Sequence, residues 1–226
     1  MLGFLKLMIL GREVKKVDNS KETRQYANSI QIRAKAEGLE KKTIGGYAVK
    51  YNEPTLIIDR WGDKFLEEIS SGAFDESLEK RNQKALWNHD NSKPLGSCKS
   101  NTLRFNSDTK GLNYDVDVPN NSWGNDAYES VDRGDVDGSS FGFIVLENKW
   151  SKVMYEDEEI YKRSITKAEL IEVSPCTFPA YDSSEISCRS FEMVKKEVTT
   201  RTNELEVERL RTQILLKMEG GIYNEE

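Results

Sequence analysis

The stretch Asp137-Gly138-Ser139-Ser140-Phe141-Gly142-Phe143 decides how this chain reads. It follows a short predicted helix that ends at Gly134, and it opens a run, Phe141 to Val145, whose aromatic and β-branched residues mark a strand entering a core. A serine stands at the mouth of that strand. A strand fixes the position of an Oγ, and flanking glycines let a second backbone come close, which together are what a nucleophile requires. The plainer alternative is that Gly-Ser-Ser is only a turn.

The single histidine of the chain, His89, lies in Ala85-Leu86-Trp87-Asn88-His89-Asp90. It ends a second apolar, strand-like run, where the chain turns into Asn91-Ser92-Lys93-Pro94. Two strand ends of this kind can bring an imidazole to a hydroxyl, although a lone histidine also serves as a packed or surface residue.

Working outward, the 226 residues suffice for one domain of ordinary size with extensions. Charged residues make up 32% and hydrophobic ones 37%, the polar end of globular composition. The net charge of −6, with no stripe of basic residues interleaved with aromatics, argues against a nucleic-acid module. The apolar start, Met1 to Leu10, is short and broken by Lys6, so it reads as neither a signal peptide nor a membrane span. Three cysteines, Cys98, Cys176 and Cys188, are odd in number and without C-x-x-C spacing. They point to a reducing cytoplasm and to no disulfide framework or structural zinc site.

In chain order, residues 1–29 are charged and aperiodic and read as a flexible arm. The ordered domain is expected over residues 30–190. Strands are predicted at Ser29 to Ala34 and Thr43 to Tyr51, followed by a short helix around Phe74 and Leu78. The strand leading to His89 comes next, and then a hairpin, Thr102 to Phe105 with Leu112 to Val118. A capped helix precedes Gly134. Beyond the Ser140 strand, Glu156-Asp157-Glu158-Glu159 reads as the solvated tip of a hairpin rather than a metal site. Arg163 to Thr166 and Ala168 to Ser174 are two further strands. About seven short strands with few short helices predict an α+β fold, mainly an antiparallel β-barrel or strongly curved sheet flanked by helices.

From Glu192 the composition shifts to a charge-rich helix, so residues 191–226 form a helical C-terminal tail. Asn203 and Glu206 have capping-box spacing, and Val207, Leu210, Ile214 and Met218 form one apolar stripe that ends at Gly220-Gly221.

Seven blocks, in this order, resemble the prohead (capsid maturation) protease family of tailed bacteriophages. They are Gly46-Tyr47-Ala48, Gly72-Ala73-Phe74, Asn88-His89-Asp90 with Leu95-Gly96, Gly111-Leu112, Ser140-Phe141-Gly142-Phe143, Leu170-Ile171-Glu172-Val173-Ser174 and Pro179-Ala180-Tyr181. That family is similar in fold and logic to the herpesvirus assembly protease, assemblin. The resemblance implies a serine endopeptidase without a cofactor or metal, working inside the assembling prohead in the host cytoplasm. It implies cutting of a scaffold protein or the scaffolding segment of the major capsid protein, and self-cleavage. It allows a homodimer and implies no nucleic-acid or membrane partner.

By the same resemblance the catalytic histidine falls on His89 and the nucleophile on Ser140, with Ser139 standing where many relatives carry an apolar residue. A third group must hold the imidazole in one tautomer and stabilise its cation. Assemblin uses a second histidine, which this chain lacks, so a carboxylate is expected: Glu172 first, with Glu169 and Asp90 behind it. Backbone N–H groups between Val173 and Tyr181 are candidates for an oxyanion hole. Two other readings stay open: a non-catalytic β-rich capsid assembly module, and a cysteine hydrolase built on Cys98 or Cys176.

Overall fold

In the computed structural model, residues 21–26, 29–33, 42–58, 63–177, 204–210 and 212 are described. Two strands of unusual length dominate: β10 (Gly138–Tyr155) and β11 (Glu158–Cys176), paired antiparallel along nearly their whole length. The sequence read β11 as two strands, because charged residues interrupt its apolar pattern; the partner strands bridge that interruption.

Around this hairpin lies a seven-stranded sheet. Strand β1 (Glu22–Tyr26) pairs with β10, and β5 (Lys64–Ile69) pairs with β11 and with β4 (Thr55–Ile58). Strand β6 (Lys84–Trp87) pairs with β11 further along and with β7 (Asp90–Ser97). A second, four-stranded sheet runs β2 (Ile30–Ile32), β3 (Thr43–Lys50), β9 (Gly111–Asp117) and β8 (Leu103–Ser107). Helix α1 (Asp75–Lys80) lies between β5 and β6 in the chain, and α2 (Ser122–Asp132) precedes β10. Asn121 caps α2 by accepting from Gly124 N at 2.9 Å, and Gly134 ends the segment at φ 78°.

Two expectations are corrected. No closed barrel forms; the described strands make two open sheets. The larger sheet is mixed rather than antiparallel, because β11 pairs parallel with both β5 and β6. The passage through α1 lets the chain re-enter the sheet in the same direction, which a hairpin turn cannot do. The expected arm is also partly strand. Glu22 and Arg24 of β1 are buried against Glu67 and Arg163. Arg24 Nε donates to Glu67 Oε1 at 2.5 Å and its Nη2 to Glu22 Oε2 at 2.8 Å, while Arg163 Nη1 donates to Glu67 Oε2 at 2.9 Å. Charges that look solvated in sequence are thus paired inside, where removing one partner typically costs about 3–5 kcal/mol.

One face of the β10–β11 hairpin builds the core. Phe141, Phe143, Leu170 and Val173 are fully buried, and Phe74 meets both phenylalanines edge-on, at 6.0 and 6.2 Å between ring centres. Burial of each such ring contributes about 1.5–3 kcal/mol. The register slips between Gly142/Glu172 and Phe143/Leu170, leaving Ile171 as an extra residue on β11. This bulge is what lets Leu170 and Val173, three apart, both face the core, and it turns Glu172 to the opposite face.

The chain divides into two compact units, residues 1–184 and 185–226. In the second, residues 204–210 and 212 are helical, with Leu205, Val207 and Leu210 exposed. Asn203, Ile214, Met218 and Gly220-Gly221 lie outside the described residues. No described helix is long and apolar enough to cross a membrane.

Candidate active site

The face of β10 opposite the core carries Gly138, Ser140 and Gly142, in register with Cys176, Ser174 and Glu172 of β11. The glycines add no side chain on this face, which leaves a covered trough beside the fully buried serine. A Cβ at 142 would have to push aside the end of the Lys21 side chain and Glu172 Oε1. The neighbouring Ser139 points the other way, its Oγ 3.2 Å from the buried Tyr114 hydroxyl. Period-two alternation therefore separates the two adjacent serines: Ser139 belongs to the core, Ser140 to the trough.

His89 reaches this trough through the parallel strand β6, which lies beside β11 with Lys84 opposite Glu172. Running the same way as β11, β6 delivers the β6–β7 turn to the end of β11. Asn88 and His89 are its two central residues, with φ of 50° and 60°, the combination of a type I′ turn. Three contacts dock it: Asn88 N donates to Pro175 O at 3.1 Å, Thr177 N donates to Asn88 Oδ1 at 3.1 Å, and His89 N donates to Ser174 Oγ at 3.3 Å. Non-glycine residues at positive φ cost about 1–2 kcal/mol each. Here that strain aims an imidazole.

His89 Nδ1 lies 2.7 Å from Glu172 Oε1. Burial alone would raise the Glu172 carboxyl, but the hydrogen bond and charge of His89, followed by those of Lys21, outweigh it and hold the pKa below the ordinary glutamate value. An ionised carboxylate only accepts, so Nδ1 carries a hydrogen, and in the neutral ring Nε2 has the lone pair. Nε2 is buried and finds no hydrogen-bond partner among the described residues. The second Glu172 oxygen accepts from Ser174 Oγ at 2.7 Å, and Lys21 Nζ sits 2.8 Å from Oε1. Ser140 is fully buried, its Oγ donating to the Arg24 carbonyl of β1 at 2.9 Å.

The structure thus gathers Ser140, His89 and Glu172 on one side of the sheet and leaves the other carboxylates elsewhere. Glu169 pairs with Arg81, and Asp90 accepts from Ser92 N and Oγ at 2.9 and 2.6 Å. Cys176 lies beside Ser140, but burial, followed by the charge of Glu172, pushes its thiol up to about 12, which leaves no thiolate for attack. Burial raises Cys98 as well. Cys188 and residues 178–181 of the proposed oxyanion turn lie outside the described residues. Ser174 and Lys21 went unnoticed in the sequence. For Ser174 the signal was present, because Glu-x-Ser on a strand places both side chains on one face. A cavity of about 1000 Å³ opens beside Glu172, lined in part by Lys21, Lys84, Leu86 and Ile171.

A family model described as caudovirus prohead serine protease matches residues 28–197. The chain belongs to that family. It is a serine protease. No curated protein sequence matches this prohead protease. Among solved structures, the bacteriophage T4 capsid assembly protease gp21 is similar over 67% of this chain and 96% of its own, at 10% identity and a TM-score of 0.34.

Proposed function

We propose that this prohead protease is a capsid-maturation endopeptidase in which Ser140 attacks, His89 carries the proton and Glu172 orients and stabilises the imidazole. The observation that carries this reading is the 2.7 Å contact of His89 Nδ1 with the buried carboxylate of Glu172, a residue two along β11 from Ser174, the partner of Ser140 across the hairpin. Oγ adds to the scissile carbonyl carbon as its proton passes to Nε2. The tetrahedral adduct collapses, the C–N bond breaks, and that proton leaves with the amine. Water, deprotonated by His89, then hydrolyses the ester and restores Ser140. Glu172 stays ionised throughout and accepts the Nδ1 hydrogen.

Attack requires Ser140 to exchange its bond to Arg24 O for one to Nε2, so β1 must yield at this point. Self-cleavage of the chain belongs to the same proposal. The expected external substrates are a scaffold protein or the scaffolding segment of the major capsid protein, met inside the assembling prohead, with the tail beyond Phe191 recruiting the enzyme to the shell rather than taking part in chemistry. Neither a cofactor nor nucleic acid has a part in this scheme, and a homodimer is compatible with it.

Full burial of Ser140 stands against this assignment of the nucleophile. A serine-directed fluorophosphonate tests it. Covalent labelling that maps to Ser140 and vanishes in Ser140→Ala supports the protease site; an unlabelled wild type that also leaves its own chain and the capsid protein uncut overturns it.

A further inference from the structure

We propose that Ser174 is a positioning residue of the site, a fourth member that fixes both the carboxylate and the histidine; the inference rests on the Ser140–His89–Glu172 reading above. Ser174 is fully buried on β11, two residues from Glu172 and directly opposite Ser140. Its hydroxyl has one hydrogen, and that hydrogen goes to Glu172 Oε2 at 2.7 Å. Its lone pair receives His89 N at 3.3 Å. One side chain therefore touches the acceptor of the Nδ1–H bond and the backbone of the residue that makes it.

The carboxylate needs such a partner. Glu172 is 2% exposed, so an oxygen left unbound there is not hydrated, and the cost of leaving a buried charged acceptor unmade is high. Oε1 is already shared between His89 and Lys21. With Oε2 unpinned, the carboxylate is free to rotate towards Lys21 and away from Nδ1, which misorients the imidazole without removing any reacting atom. The backbone contact matters for a separate reason. His89 sits at φ 60°, a conformation that persists only while its surroundings enforce it, and Ser174 Oγ is one of the groups that do so. Ser174 is not itself placed to attack, because its proton faces a carboxylate already committed to His89.

The test uses full-length protein and a fluorophosphonate probe, comparing wild type with Ser174→Ala, Ser174→Cys, Glu172→Gln and the Glu172→Gln/Ser174→Ala double variant. Melting temperatures verify folding, and Ser174→Cys keeps the volume and a weak donor should Ser174→Ala fold poorly. Ser174→Ala is expected to lower the maximal labelling rate about ten- to a hundredfold with the half-saturating probe concentration within twofold, the label still on Ser140. Ser174→Cys should fall between it and wild type. The double variant should fall well short of the product of the two single losses, because both act in large part through one carboxylate. Unchanged labelling in Ser174→Ala, losses that multiply in the double variant, or a label that maps to Ser174 each overturn the proposal. A silent Glu172→Gln, with Ser140→Ala still dead, instead refutes the role given to Glu172 and the inference with it.

Discussion

Two hairpin turns in this protein share a backbone and differ in everything else. Asn88-His89 and Glu156-Asp157 are both two-residue turns with positive φ at both positions, 50° and 60° in the first, 48° and 66° in the second. The first is docked on the end of β11 by three hydrogen bonds, and its histidine is held by Glu172. The second caps the free end of β10–β11, where both residues are exposed. The turn type follows from strand twist in both cases. What the turn is for follows from what lies beneath it: a parallel neighbour carrying a buried carboxylate in one case, water in the other.

Substitution at the second position of each turn should break the symmetry most sharply. His89→Ala is expected to reduce proteolysis by roughly five to six orders of magnitude, matching Ser140→Ala, with the double variant no worse, because members of one catalytic unit are strongly non-additive. Asp157→Ala should leave turnover within twofold. Multiplying losses in the double variant would show that the two residues do not share a site. Ser139→Ala, on the core face of β10, should be mild for activity, and a reversed ranking of the two serines would move the nucleophile.

A step down in size, Glu172→Gln should cost about two to four orders of magnitude in turnover with little change in KM, while Glu169→Gln and Asp90→Asn stay near wild type. The same variant tests the charge. Because the folded pKa of Glu172 is depressed, its contribution to stability is present above the ordinary glutamate value of 4.5 and lost as pH falls through the folded pKa. The stability gap between wild type and Glu172→Gln, measured by denaturant titration, should therefore shrink with acidification below pH 4.5. A gap that widens instead would mean the carboxyl is not held ionised.

At the first turn position, Asn88→Ala removes an acceptor for Thr177 N and a residue type tolerant of positive φ. About 1–2 kcal/mol of stability and roughly tenfold or more in activity should be lost, read by thermal melting and peptide cleavage. Glu156→Ala, at an exposed position, should leave activity unchanged. The smallest effect is expected for Asp157→Gly, which relieves the strain and gains up to about 0.5–1 kcal/mol without altering turnover. A change in activity there would mean that the outer tip takes part in substrate handling.

The residues of the candidate site were legible before any fold. Ser140 at a strand mouth, the solitary His89 and an acidic residue on a later strand follow from residue types and their order, and the seven blocks point to the family. The turn at 156–157 and the 103–117 hairpin were equally plain, since they depend on local alternation and turn chemistry. The strand at Glu22–Tyr26 was not legible, because its charges look solvated until Glu67 and Arg163, far along the chain, supply their partners.

By itself, then, the sequence determined which groups this protein has for chemistry and which stretches alternate as strands, because both are properties of short runs of residues. Only the tertiary structure decided which of those groups meet. The parallel pairing of β6 with β11 carries His89 to Glu172, and the bulge at Ile171 turns that carboxylate away from the core. Both depend on contacts between residues some eighty positions apart, and on a one-residue slip in register that inverts a face, neither of which leaves a periodic trace in the sequence.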